Sequence, residues 1–237
     1  DIIDGSGKIL TPGFIDCHVH ILGGGGEGGF ANRTPEATVE GLTKFGVTTV
    51  VGCLGTDGIG RDMCALVAKA KGLCEQGMSA YCYTGSYQIP VHTLTDSITK
   101  DIMMIQEIIG TGEIAISDHR SSQPTFEEFA RVVADTRLGG VLSGKAGVVN
   151  VHLGDSTRCM DLIERVIDET EIPASPAQRQ SCPPPHRCPP SGNPPRSSPD
   201  ARAVRGNRRD SACRSRCFRK WYTVQSRRAP APPSGYG

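Results

Sequence analysis

The sequence predicts an α/β protein with a parallel sheet, followed by a tail of a different character. Three observations carry this prediction. Short apolar runs alternate five times with amphipathic stretches between residues 13 and 172. The apolar runs lack the polar alternation of a half-solvated sheet, so both faces of each strand are expected to be covered. Beyond residue 174 there is no Leu, Ile or Met, and 12 of the 17 prolines fall there, so that segment has no material for an ordinary core.

"GFIDCHVH" reads as the first strand, and Thr34-Pro35-Glu36 is expected to open a helix, with a capping threonine, a proline at the first helical position and an early acid. Gly46 ends that helix. "VTTVVG" is a β-branched strand, and a helix from about Arg61 to Glu75 follows and stops at Gly77. "SAYCYTG" supplies the third strand, with a helix near Ile98–Ile109 behind it. "EIAISD" is the fourth, and "PTFEEFARVVADTR" the helix after it. "VVNVHLGD" is the fifth, backed by a helix near Ser156–Thr170. Strand–helix units in series predict either part of a (β/α)8 (TIM) barrel or an open doubly wound sheet. "GGGGEGG" is no dinucleotide fingerprint, because it lies well before its helix instead of opening it.

Polar residues gather at one position in each unit, at or just past the end of the strand: His18 and His20, Thr56, Tyr87, Asp118 to Arg120, and His152 with Asp155. In both candidate architectures that rim is where ligands bind. His18 and His20 are two apart, so in an extended strand they leave the same face and could hold one metal ion, or could be two incidental polar residues before a turn.

The formal net charge of +1 conceals a split. Residues 1–174 carry 13 Lys/Arg against 23 Asp/Glu, a net of −10, and residues 175–237 carry 13 against 2, a net of +11. No run of about 18 apolar residues exists, so no membrane span is expected. The acidic start "DIIDGSGKIL" has no apolar signal core, and the chain reads as beginning partway into a longer protein. Cys17, Cys53, Cys64, Cys74, Cys82 and Cys159 lie singly without a C-x-x-C, which suits reduced thiols and a cytoplasmic location.

The blocks "GKILTPGFIDCHVH", "HVHILGGGGE…RTPE", "GVTTVVGCLGTD", "TGSYQIP", "ISDHRSSQP" and "GGVLSGKAGVVNVHLGDS" together resemble the isoaspartyl dipeptidase (β-aspartyl peptidase) family of metal-dependent amidohydrolases, over about residues 1–173. The resemblance implies a partial (β/α)8 TIM barrel of the amidohydrolase type. Residues 1–12 would end a small β domain, 13–173 would form about five βα units, and 174–237 would be a Pro/Arg-rich, disordered or frameshifted tail. It implies two zinc ions, with His18, His20, Glu113 and His152 as metal ligands and Glu113 standing where some members carry a carboxylated lysine. Gly25, Glu27, Thr56, Tyr87 and Arg120 would bind substrate. Glu27 would take the free α-ammonium group, Arg120 a carboxylate, and Tyr87 would also act in catalysis by polarising the scissile carbonyl. The expected partner is a small β-aspartyl dipeptide, and the intact family is expected to form homo-oligomers.

Two blocks of that pattern are missing: a sixth-strand histidine with a substrate arginine, and an eighth-strand aspartate that binds metal and acts as general base. In their place stands "ASPAQRQSCPPPHRCPPSGNPPRSSPDARAVRGNRRD", the kind of text a GC-rich coding sequence gives when read out of frame. The alternatives are another amidohydrolase, such as a dihydroorotase-like or hydantoinase-like cyclic amidase, and a non-catalytic fragment whose basic tail binds nucleic acid. Nucleic acid is not the expected partner, since charge runs are usually only solvated. Cys182, His186, Cys188, Cys213 and Cys217 fit no common zinc-finger spacing.

Overall fold

The computed structural model describes residues 3–173. The expectations placed on the tail, whether disorder, frameshift, a zinc module or a nucleic-acid arm, lie outside the described residues. Five strands, β1 (Phe14–Val19), β2 (Val47–Gly52), β3 (Ser79–Thr84), β4 (Ile108–Ile116) and β5 (Val148–Leu153), alternate with helices α1 (Val39–Thr43), α2 (Met63–Glu75), α3 (Ile98–Met104), α4 (Phe126–Ser143) and α5 (Asp161–Glu169). The strands form one sheet in chain order, and every pairing is parallel.

Strand periodicity divides the sheet into two faces. Val50, Ala80, Cys82, Ile108, Ile114 and Ile116 pack with Leu66, Leu73, Ile102, Phe129 and Val166 of the helices in one large core. On the opposite face Val51, Cys53 and Tyr83 make a small second cluster. That face is concave. In a flat sheet β1 and β5 would be four strand spacings apart, roughly 19 Å at about 4.8 Å each. Instead His18 Nδ1 and the Asn150 amide nitrogen are 3.4 Å apart, so the sheet curls into half of a barrel. Large apolar side chains on its two edge strands, Phe14, Ile15 and Val148, are exposed.

Several boundaries differ from the sequence expectation, each for a local reason. Helix α1 begins four residues late, with Thr38 and not Thr34 accepting from a first-turn N–H, because Thr34 is engaged with the glycine loop: its hydroxyl accepts from Gly24 N–H (2.7 Å) and its own N–H donates to Gly24 O (3.0 Å). Helix α2 starts at Met63 behind an Asp62 cap, since Arg61 turns away to the same loop. Ile108 and Ile109 belong to β4 and not to the preceding helix. Gly110 looks like a break but lies inside the strand, where an added Cβ would fall 2.1 Å from Val148 O on β5. Helix α4 runs past Arg137 to Ser143 and closes on Gly144 at φ 68. Residues 3–12 form no strand, and Ile3, Ile9 and Leu10 are exposed.

Asp101 ties α3 to the end of β3. It is fully buried and accepts from the Thr84 hydroxyl, from the N–H groups of Leu94 (2.9 Å) and Thr95 (2.8 Å), and from the Thr95 hydroxyl (2.6 Å). Removing this acceptor strands the buried Thr84 hydroxyl and three part-buried donors. Asp101→Ala is therefore expected to lower the unfolding free energy by about 3 kcal/mol, whereas Lys100→Ala, on the exposed side of the same helix, should change it by less than about 0.5 kcal/mol. Urea unfolding of the two variants checks this, and equal losses would contradict it.

Candidate functional site

Glu113, on the concave face of β4, is 2% exposed. Its Oε1 accepts from His152 Nδ1 at 2.8 Å. Its Oε2 lies 3.3 Å from His18 Nε2 and 3.9 Å from His20 Nε2 and has no hydrogen-bond partner. The H-x-H spacing produces this convergence: His18 near the end of β1 and His20 just beyond it keep to one face. The far nitrogen of each ring is turned elsewhere, His20 Nδ1 to the Cys53 carbonyl (3.3 Å) and His18 Nδ1 to the Asn150 amide (3.4 Å). Asn150 Oδ1 is buried and unpaired. Rotating that amide by half a turn would let Oδ1 accept the Nδ1–H of His18 and leave Nε2 free as a lone-pair donor.

These residues fit a metal ion. Donors on a tetrahedral ion with bonds of about 2.0–2.1 Å stand about 3.3 Å apart, close to the His18–Glu113 separation. The ligand atoms of His18, His20, Cys53 and Glu113 all lie within 4.8 Å of one another. An unpaired, buried carboxylate oxygen facing two imidazole nitrogens is costly without a cation and favourable with one.

His152 occupies a different setting. It lies beside Glu113, and its Nε2 is 3.0 Å from Asp118 Oδ2. Hydrogen bonding to Glu113 raises its pKa, against the opposing effect of burial and with help from the Glu113 and Asp118 charges, which favours the imidazolium, whose two N–H groups face Glu113 and Asp118. The 3.1 Å approach of Arg120 Nη2 to His152 Nε2 is then two donors crowding one acceptor, Asp118 Oδ2. Burial works against charge on Glu113, yet the His152 bond and the nearness of the His18 and His152 rings outweigh it and hold its pKa at about 2. Tyr87 Oη is 2.9 Å from His152 Nδ1. Burial, then the Glu113 charge, pushes its phenol above the ordinary value, so it stays a neutral O–H.

A second constellation borders the first. Arg120 holds Asp118 through Nε (3.0 Å) and Nη2 (2.7 Å), and its Nη1 donates to Glu27 Oε1 at 2.7 Å. Glu27 also accepts from the Thr56 hydroxyl; that bond, and next the Arg120 partner, keeps its carboxyl below the ordinary value. The loop that carries Glu27 is fixed from beneath. Arg61 donates to the carbonyls of Leu22 (3.1 Å), Gly24 (2.9 Å) and Gly25 (3.3 Å), and Arg33 pairs with Asp57 at 2.6 Å. Gly25 adopts φ 76, and a Cβ there would lie 2.6 Å from Asn32 O. A cleft of about 310 Å³ opens beside Glu27 and Thr56, bounded by Phe30, Arg33 and Asp57.

The structure thus brings His18, His20, Glu113, His152, Tyr87, Arg120, Glu27 and Thr56 into one connected group. Gly25 contributes to the fixed loop, with its carbonyl facing Arg61 and not the cluster. Sequence reasoning missed Cys53, Asn150, Arg61 and the clamping part of Asp118. Only Asp118 left a signal, being two residues before Arg120 in "SDHR".

No protein-family profile matches the chain. It is 38% identical over 74 residues to imidazolonepropionase from Polaromonas sp. and 42% identical over 57 residues to dihydroorotase from Geobacillus thermodenitrificans, covering 17% and 13% of those proteins. Among solved structures it resembles β-aspartyl dipeptidase from Fervidobacterium islandicum AW-1 in complex with β-Asp-Leu, with 59% identity and a TM-score of 0.67, over 68% of this chain and 44% of that one. A second structure of that dipeptidase gives a TM-score of 0.68 at the same identity. The half-barrel and these similarities point to one class: the chain is similar to proteins of the amidohydrolase type. Within that class its resemblance is to the β-aspartyl dipeptidases, and it spans less than half the length of the solved ones.

The electrostatics of Glu113 have a measurable consequence. His18 and His152 have folded-state pKa values raised by Glu113 above an unfolded value of about 6.5. Their stabilisation is therefore fully present below that value and lost as pH rises through the folded values. In chelator, the unfolding free energy of the parent is expected to fall as pH rises above about 6.5, and Glu113→Gln should flatten that fall. An identical pH dependence in the two proteins would show that Glu113 does not set these charges.

Proposed function

We propose that this chain is the N-terminal part of a metal-dependent hydrolase that cleaves β-aspartyl (isoaspartyl) dipeptides. In this reading residues 13–173 are five βα units of the catalytic barrel, and residues 1–12 end a small β domain before it. Zinc is the proposed metal, with two ions in a complete enzyme; a cytoplasmic location and a homo-oligomeric assembly complete the proposal. No helix among the described residues is long and apolar enough to cross a membrane.

The carrying observation is the Glu27–Arg120 pair at 2.7 Å, alongside the histidine–glutamate cluster. The free α-carbon end of a β-aspartyl dipeptide bears an ammonium and a carboxylate on one carbon. Such a head can exchange one internal ion pair for two, the ammonium on Glu27 and the carboxylate in the fork of Arg120. Each partner has its own anchor, Thr56 for Glu27 and Asp118 for Arg120. Cyclic ureides offer no ammonium for Glu27. The short similarity to dihydroorotase nevertheless keeps such cyclic amides in the substrate panel.

His18, His20, Glu113 and His152 would hold the metal, which supplies a water of lowered pKa and an electrophile for the scissile carbonyl. Tyr87, a neutral phenol, would donate its O–H to that carbonyl oxygen as charge builds there. His152 would ligate as a neutral imidazole, so metal binding works against the raised proton affinity that Glu113 and Asp118 give it. Glu27 and Arg120 fix the far end, so the side-chain amide is presented in one orientation.

Glu27→Gln keeps the shape and removes the charge partner. It is expected to weaken binding of β-Asp-Leu by about 10- to 100-fold, or roughly 1.5–3 kcal/mol, and to leave binding of N-acetyl-β-Asp-Leu unchanged, as measured by calorimetry. Equal affinity of parent and variant for the free dipeptide would remove Glu27 from the assigned role. The 237-residue chain itself is expected to show little or no hydrolysis of β-Asp-Leu, because the sixth-strand histidine and eighth-strand aspartate blocks are absent from its sequence. Steady turnover with two bound metals would show those blocks to be dispensable, and preferential turnover of dihydroorotate would favour the cyclic-amidase reading.

A further inference from the structure

We propose that Cys53 is the fourth ligand of a single metal ion held with His18, His20 and Glu113, so that this chain binds one ion through two nitrogens, one oxygen and one sulfur. The inference rests on the metal-centre reading above and goes beyond it by adding a ligand and fixing the stoichiometry.

Cys53 directly follows β2 and is 1% exposed on the concave face. Its Sγ has two long contacts, 3.6 Å to His20 Nδ1, on the side of that ring away from Glu113, and 3.8 Å to the Val19 carbonyl, so the bearing of Cys53 on the centre rests on the grouping of the four ligand atoms. A tetrahedral ion with bonds of about 2.3 Å to sulfur and about 2.0–2.1 Å to nitrogen and oxygen spaces its donors about 3.3–3.6 Å apart. The four candidate donors lie within 4.8 Å of one another, so the widest pair needs to close by at most about 1.5 Å. Carboxylate and thiolate together neutralise a divalent cation in this buried place. Binding proceeds by proton release: the S–H bond breaks, the sulfur–metal bond forms, and the proton leaves to solvent. A thiolate in the set selects zinc or cobalt over magnesium or calcium.

A second ion, which in a complete enzyme would take His152 as a ligand, has no comparable place in this chain. Glu113 Oε1 is bonded to His152, the other His152 nitrogen to Asp118, and the Arg120 guanidinium stands 3.1 Å from that nitrogen, so a second cation would meet one already present.

The test uses the full chain with Cys182, Cys188, Cys213 and Cys217 changed to serine, so that tail thiols cannot contribute, loaded with cobalt(II). One cobalt per chain is expected, with tetrahedral visible absorption and a near-ultraviolet thiolate-to-cobalt charge-transfer band. Cys53→Ser and Cys53→Ala, each checked by circular dichroism for retained fold, should lose that band and bind cobalt at least about tenfold more weakly. Two cobalt ions per chain, or a band that persists in both folded variants, overturns the proposal. Cobalt bound without a thiolate band overturns the role of Cys53 and leaves the centre of His18, His20 and Glu113 intact. No cobalt binding at all overturns both.

Discussion

The ionised Glu113 side chain, buried on the concave face of a five-stranded sheet, is the constraint around which the described residues are arranged. A carboxylate in that position is costly unless opposite charge and hydrogen bonds are brought to it. Its partners come from the edges of the sheet: His18 and His20 from β1, and His152 from β5. Meeting them requires the sheet to curl, and the 3.4 Å approach of Asn150 to His18 across the concave side shows how far it does so. The curl also leaves the concave face polar near the strand ends while the convex face carries the large helix-packed core.

Charge compensation then spreads outward through shared partners. His152 bridges Glu113 and Asp118, Asp118 bridges His152 and Arg120, and Arg120 bridges Asp118 and Glu27. Positive and negative groups alternate along this chain, so moving any member changes the partners available to the next. The outer end, Glu27, is half exposed on a glycine loop held by Arg61. At the inner end Glu113 is buried while the histidines around it are partly exposed. A ligand with charge at one end and an amide at the other could therefore be fixed at Glu27 and reach the histidines with its amide.

Much of this was legible in the sequence because strand periodicity and strand-end placement are local signals. The H-x-H pair, the five alternations and the rim positions of Tyr87 and Arg120 needed no tertiary information. The errors arose where a local signal served a distant contact. Thr34 looks like a helix cap but stabilises the glycine loop, and Gly110 looks like a break but admits β5 alongside β4. Cys53 and Asn150 were invisible as site residues for another reason. A lone cysteine after a β-branched run reads as core, and an asparagine inside "VVNVHL" reads as an ordinary strand polar residue, until the curl sets both beside the histidines.

The central claim, that Glu113 and the β1 histidines form a metal centre at the mouth of the half-barrel, is tested most directly by anomalous diffraction at the zinc edge from crystals of the zinc-loaded protein. The account predicts an anomalous peak within bonding distance of Glu113 Oε2 and of the Nε2 atoms of His18 and His20. A peak elsewhere on the ordered protein, with Glu113 still unpaired and the histidines unligated, would contradict it.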